Sequence, residues 1–256
     1  MNKILSIFKD AMPMVMLVLS FVLILIPLPL MMIQALIVLN ICFSLCLFLF
    51  RFFKSTVLAY YFPRLVLYSS LYTLGIAIAA TRTFLCIQTL DGHIPVVLFI
   101  GQWICRENYV CGFFTTLMLC GSLLLFCKLH IQRAQEAAAN FYLDRMNQKL
   151  FDIDKQIEQK YISIEEGDAQ KKKLQDETDY HDCMDGAARF LIGTIVAFVI
   201  LFIITIVGGT AMGISDQNMY WQDALNQYIM LSSGYLVLFV IPLSLTSMGF
   251  KTYKDL

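Results

Sequence analysis

The chain has 256 residues, 59% of them hydrophobic and only 15% charged, and its 19 Lys/Arg and 19 Asp/Glu cancel to a formal charge of zero. Its mean hydropathy is +0.70, whereas a soluble domain is typically about 25% charged. This excludes a soluble domain carrying a single anchor, and it offers no basic surface for nucleic acid.

Lys3 and Lys9 make a basic start. The apolar stretch that follows is much longer than the roughly 7–15 residues of a signal-peptide core, and no small-residue cleavage site follows it, so the first span is expected to stay in the protein. The 40 residues from Ala11 to Phe50 contain no Asp, Glu, Lys, Arg or His and are interrupted by Pro27-Leu28-Pro29. About 20 apolar residues cross the hydrocarbon core. Two prolines so close end one helix before the next begins, so this stretch reads as a transmembrane hairpin. Continuing along the chain, spans are expected at 12–29, 33–50, 65–86, 109–127, 190–213 and 228–249.

Of the 38 charged residues, 23 lie between Lys128 and Arg189. The chain therefore divides into membrane spans one to four (1–127), a polar insertion (128–189) and spans five and six (190–256). With the N-terminus inside, the inside segments hold 17 of the 19 Lys/Arg, and only Arg82 and Arg106 fall elsewhere. The positive-inside rule thus places both termini in the cytoplasm. The insertion reads as helical. His130 to Ile153 extends the fourth span, with Ala137, Phe141 and Leu143 among its charges. Ser163-Ile164-Glu165-Glu166 has the spacing of a capping box that starts a second helix. Asp168 and Lys172 sit at i, i+4 on that helix, and Gly167 weakens its first turn. The fold class is an all-α integral membrane protein with about six transmembrane helices and a helical cytosolic insertion between spans four and five.

Chemical motifs are scarce. There is no His-Glu-x-x-His, Cys-x-x-Cys or Gly-rich phosphate loop, and His93, His130 and His181 are far apart. No enzymatic role, metal or cofactor is expected. The eight cysteines do not suggest a disulfide framework. Cys42, Cys46, Cys120 and Cys127 belong to apolar spans. Cys86, Cys105 and Cys111 flank one loop, where Cys105 and Cys111 are candidates to pair if it faces an oxidising compartment, although spacing alone does not establish the geometry. Arg82 is the only charge inside an expected span. It either snorkels to the interface or contacts a neighbouring subunit or Asp91. Tyr60, Tyr61 and Phe62, and later Tyr220 and Trp221, suit interfacial anchors, and lipid is an expected partner. Gly75 and Gly208-Gly209 would allow close helix approach. Asp182, Asp185 and Arg189 form either a solvated helix end or a switch leading into the fifth span.

These residues carry a family resemblance. Met184-Asp185-Gly186-Ala187-Ala188-Arg189-Phe190, preceded by Glu177-x-Asp179-Tyr180, resembles the loop-to-membrane motif of the FlhA/SctV family, the export-gate proteins of flagellar and virulence type III secretion. Pro27-Leu28-Pro29 is similar to that family's first turn, and Phe62-Pro63 with Ala79-Ala80-Thr81-Arg82 to its third span. Its cytosolic signature resembles Arg133, Glu136, Ala138-Ala139, Phe141, Leu143-Asp144, Met146, Lys149 and Ile153-Asp154. Gly208-Gly209 and Ile241-Pro242 match later spans. The register is collinear over nearly the whole chain.

The departures share a direction. The family's arginine and asparagine in the third span are Thr73 and Ala77 here. Its basic residue, Gly and Asp after the Met-Asp-Gly-Ala motif are Ile192, Gly193 and Thr194. Its Gly-Asp-Gly is Gly234-Tyr235-Leu236, and its Pro-Gly-Lys is Asn147-Gln148-Lys149. Every acidic residue the family keeps in these spans is neutral here. The family also continues through two more spans and a large soluble domain that nothing after Leu256 supplies, so a short paralogue, a split gene and a fragment are all open readings.

The resemblance implies an export-gate component in the bacterial cytoplasmic membrane. Its implied partners are other export-apparatus membrane proteins and its own copies in a homo-oligomeric ring. Missing carboxylates point to a structural or degenerate version without proton coupling. The alternatives are a six-span small-solute transporter or channel subunit, or a non-functional split-gene remnant.

Overall fold

The computed structural model describes residue 15 and residues 18–26, 28–50, 56–86, 96–106 and 108–249. Regular structure among the described residues is entirely helical. Helix α1 covers 18–25, α2 Leu30–Phe50, α3 Thr56–Cys86, α4 Val96–Cys105 and α5 Tyr109–Asn140. A π-helical turn, Phe141–Arg145, leads into α6, Met146–Glu158; α7 is Ile164–Ser215 and α8 Trp221–Met248. Five stretches among the described residues are long and apolar enough to cross a membrane: Leu30–Leu49, Tyr61–Leu85, Tyr109–Glu158, Ile164–Ser215 and Trp221–Met248. They overlap nearly all of the second to sixth expected spans, and α1 lies within the first. Of the residues singled out in the sequence, Lys3, Lys9, Pro27, Asp91 and His93 lie outside the described residues, and the side chains of Tyr60 and Cys86 are likewise outside them.

Two boundaries differ from the sequence reading. Helix α3 begins at Thr56, well before 65, and carries Pro63 inside it. The proline deletes one backbone bond in the early turns without ending the helix. The stretch between spans three and four, read as a loop, contains α4. Its ten residues are too few to span. It buries Val97, Leu98, Gly101 and Cys105 and exposes Phe99 and Trp103. Arg106, with φ of 48°, turns the chain into α5. The Asn108 side chain there accepts from the N–H groups of Val110 at 3.1 Å and Cys111 at 3.2 Å, satisfying donors that the first helical turn leaves open. The Cys105 and Cys111 thiols are both free, the first buried and the second exposed.

Helix α8 is the hub. Most of its length is buried, and α2, α3, α4, α5 and α7 all pack on it. Lipid tails give no hydrophobic drive between helices, so close packing and interhelical hydrogen bonds must supply the cohesion. Glycines provide the closest approaches. A Cβ at Gly234 would lie 1.8 Å from the Val97 carbonyl oxygen, and one at Gly101 would lie 2.0 Å from that of Met230. Helices α4 and α8 therefore touch backbone to backbone. On α7, Gly209 leaves space that the Tyr228 ring fills, with a built Cβ only 2.1 Å from it, while Gly208 meets Leu85 at an ordinary 3.6 Å. Gly75 lies against Ser20 of α1 at 3.4 Å. So Gly209, of the Gly208-Gly209 pair, is the one that close packing requires.

Beyond the spans, α5 and α7 continue unbroken into the insertion. With 52 residues, α7 is about 78 Å long at the α-helical rise, more than twice the ~30 Å hydrocarbon core. Its first turn carries the expected capping box: the Ser163 hydroxyl accepts from Glu166 N–H, and the Glu166 carboxylate accepts from Ser163 N–H, each at 3.1 Å. Gly167 does more than weaken that turn. A Cβ there would sit 2.4 Å from Ile157, so glycine lets α6 fold against the start of α7. Asp168 and Lys172 form no ion pair; across the hairpin, Lys171 pairs with Asp154 at 2.8 Å.

Gly234→Ala is expected to lower the thermal midpoint of the detergent-solubilised protein, since a clash with backbone costs about 1–3 kcal/mol or more. Gly193→Ala, where a Cβ meets nothing within 4 Å, should leave the midpoint unchanged or raise it, because alanine favours a helix interior by roughly 0.5–1 kcal/mol.

Candidate functional site

The positions expected to depart from the family pattern fall in three places. Ala77 and Tyr235 meet. Both are fully buried. The Tyr235 hydroxyl donates to the Ala77 carbonyl at 2.9 Å and accepts from the Thr81 hydroxyl at 3.0 Å. Around the phenol stand Phe84 of α3, edge-on with centroids 6.4 Å apart, and Phe239 of α8 at 4.7 Å. Phe198 of α7 reaches Phe239 at 5.8 Å. Thr73 lies against α2, where its hydroxyl is 3.0 Å from the Asn40 amide oxygen and 2.7 Å from the Ser69 carbonyl. Thr194 turns back on its own helix and donates to Phe190 O at 3.0 Å. Each hydroxyl is satisfied by a neutral acceptor, as a low-dielectric interior requires.

Arg82 has a partner that the sequence reading did not name. Its Nη1 donates to the carbonyls of Leu25 at 3.0 Å and Ile24 at 3.4 Å. In an α-helix the Leu25 carbonyl would receive the N–H of residue 29. Residue 29 is proline and has none. The guanidinium therefore supplies the missing donor, and its charge suits a helix C-terminus. The turn proline and the third-span arginine act as one device that ties α1 to α3.

The remaining family-motif positions lie along α5–α7. Phe141 is buried in a small core with Ile153 and Leu174, and the Lys149 ammonium lies 5.6 Å from its ring centroid. Lys149 pairs with Glu177 at 2.5 Å, and Asp154 with Lys171 at 2.8 Å, so both link α6 to α7. Asp185 and Arg189 pair along α7 at 2.8 Å. Arg133, Glu136, Asp144 and Asp179 are exposed. Met184 is buried with Ala187 and Ala188, while Gly186 faces open space. Asp182 accepts a hydrogen bond from the Tyr142 hydroxyl. Burial, reinforced by Asp182, pushes that phenol's pKa up. Among the described residues, no group of His, Cys, Asp and Glu could hold a metal ion. The arrangement joins and braces helices.

Sequence reasoning missed Thr81 as the partner of Tyr235, Glu177 and Lys171 as ion-pair partners, and Gly101 as a crossing point. Thr81 could have been found from its i, i+4 spacing to Ala77 on one face of α3. The others depend on contacts between helices far apart in sequence.

Comparison with known proteins gives one consistent result. The FHIPEP family matches residues 20–249. The chain is 31% identical over 217 residues to the hypersensitivity response secretion protein HrpI of Pseudomonas syringae pv. syringae, covering 84% of this chain and 31% of that protein. It is 28% identical to the flagellar biosynthesis protein FlhA of Proteus mirabilis, covering 79% of this chain and 30% of that protein. To the hypersensitivity response secretion protein HrcV of Ralstonia nicotianae it is 30% identical, covering 86% and 31%. The chain thus spans less than a third of the length of these curated relatives. No solved structure matches it.

Tyr235→Phe is expected to cost about 1 kcal/mol, the net worth of a buried hydrogen bond. Tyr235→Asp should cost several times more, or prevent folding, because it buries an unpaired carboxylate. Thermal unfolding in detergent ranks the two. Arg82→Leu should loosen α1, which faster proteolysis or labelling within residues 18–26 would report, whereas Lys149→Met, breaking a partly solvated pair, should cost no more than about 1 kcal/mol.

Proposed function

The chain belongs to the FHIPEP family, and from that premise we propose that it is a structural membrane component of a type III secretion or flagellar protein-export apparatus, of the export-gate kind but without proton coupling of its own. The observation that carries this reading is the Tyr235 contact. Proton coupling needs a group in the spans that titrates near neutral pH. Thr194 and Tyr235 hold the positions where the family keeps acids, and a phenol, with an ordinary pKa near 10, stays neutral. The phenol is also enclosed by aromatic rings and bonded to α3.

The quality of that fit supports a packed scaffold over a decayed remnant. Alanine at 77 leaves room for tyrosine at 235, and the tyrosine hydroxyl finds two partners. The proposed setting is the bacterial cytoplasmic membrane with both termini cytoplasmic. The membrane spans, 1–127 and 190–256, flank a cytosolic hairpin, 128–189. The proposed partners are other membrane proteins of the apparatus and further copies of this chain in a ring. No catalytic step is assigned.

Reconstituted in vesicles with an internal pH dye, the protein is expected to give no proton flux above protein-free vesicles, and in cells it should co-purify with other secretion-apparatus membrane proteins. Robust flux from the unaltered protein would refute the uncoupled reading. Solute uptake without such co-purification would favour a transporter instead.

A further inference from the structure

As successive spans, α2 and α3 run antiparallel, and they pack on each other. They meet where the Thr73 hydroxyl lies 3.0 Å from the Asn40 amide oxygen. Ser44 is one turn further along α2, on the face of Asn40, and Ser69 is one turn back along α3, on the face of Thr73. The antiparallel register therefore sets Ser44 opposite Ser69. Both serines are 0% exposed, and among the described residues neither hydroxyl has a hydrogen-bond partner. Other serines in these helices meet that need by donating to a carbonyl of their own helix, as Ser70 does to Leu67 and Ser244 to Ile241, each at 2.8 Å. Ser44 and Ser69 do not turn back in this way. A buried hydroxyl left alone costs its full desolvation, so two of them across one helix contact point to a shared third partner.

We propose that Ser44, Ser69 and Asn40 form a binding site for one water molecule, which joins α2 to α3 inside the bundle.

The chemistry of the three groups selects the ligand. Each serine hydroxyl can both donate and accept, and the amide oxygen of Asn40 has a second lone pair beyond the one that faces Thr73. A water between the serines accepts from one hydroxyl and donates to the other. Its second proton is then left for the Asn40 oxygen, giving about the three bonds that a buried water typically makes. A cation does not suit the site. No charged residue lies between Leu30 and Phe50 or between Leu65 and Thr81, so nothing there offsets a buried charge. The surrounding core is apolar, with Ile37 of α2 and Val66 of α3 both buried. A bridging water is nearly as good a bond as a direct one. It extends the Asn40–Thr73 contact into a polar seam two turns long, in a setting where lipid gives no hydrophobic drive between helices.

Two measurements on the full chain test this together. In solid-state NMR in lipid bilayers, magnetisation started on water should reach the Ser44 and Ser69 side chains early, and not that of Thr205, which is buried and bonded to its own helix. In detergent, Ser44→Ala and Ser69→Ala should each lower the thermal midpoint by about 2–4 °C, and the double variant by little more than either alone. A raised or unchanged midpoint would overturn the proposal, because removing a truly orphaned hydroxyl relieves a cost. Additive losses would overturn it too. Coupled losses without transfer from water would also overturn it, since they describe a direct bond between the two hydroxyls. None of these outcomes bears on the export reading, which rests on Tyr235 and the family match.

Discussion

The hydroxyl of Tyr235 joins α3 to α8 in the middle of the bundle. Helix α8 is what the other spans pack on, and α3 carries Arg82, which holds α1. A single neutral group with two hydrogen bonds thus lies at the junction of both arrangements. Its strength comes from its surroundings. Away from water, an unmade hydrogen bond costs the full desolvation of the group, so the Thr81 hydroxyl and Ala77 carbonyl fix the tyrosine more firmly than their net energies suggest. The aromatic rings of Phe84, Phe239 and Phe198 then exclude alternatives by filling the space. Glycine contacts at Gly101, Gly234 and Gly209 complete the packing by letting backbones and rings approach where any side chain would intrude.

The same choice of groups explains what the membrane part is proposed to lack. The family resemblance implies carboxylates in these spans, and this chain presents hydroxyls. A hydroxyl can join helices but does not ionise near neutral pH. Titratable chemistry is concentrated in the hairpin instead, where Lys149, Asp154, Lys171, Glu177 and His181 lie around one small core. The two parts are continuous through α5 and α7.

Much of this was legible in the sequence. The charge-free run, the proline turn, the segregation of charge and the Ser163–Glu166 capping box gave the helices and the hairpin, because each is a local pattern with a local cause. The family resemblance followed from collinear motifs. What could not be read was pairing between distant elements. Tyr235 was visible as a missing carboxylate, but its bond to Ala77 required knowing that α3 crosses α8 there. Arg82 was visible as a lone charge, yet its role as a substitute for the absent N–H of Pro29 required folding the hairpin back onto α3. Helix α4 was hidden because ten apolar residues satisfy no spanning rule, and the Lys171–Asp154 pair was hidden because it joins two helices across the hairpin.

The central claim is that the Tyr235 and Thr81 hydroxyls act as one unit that locks α3 to α8. A double-mutant cycle of Tyr235→Phe and Thr81→Val, read by unfolding in detergent, tests it most directly. The account predicts non-additivity, with the double variant losing less than the two single losses combined, by about 0.5 kcal/mol or more. Strict additivity would contradict it and leave α8 held by packing alone.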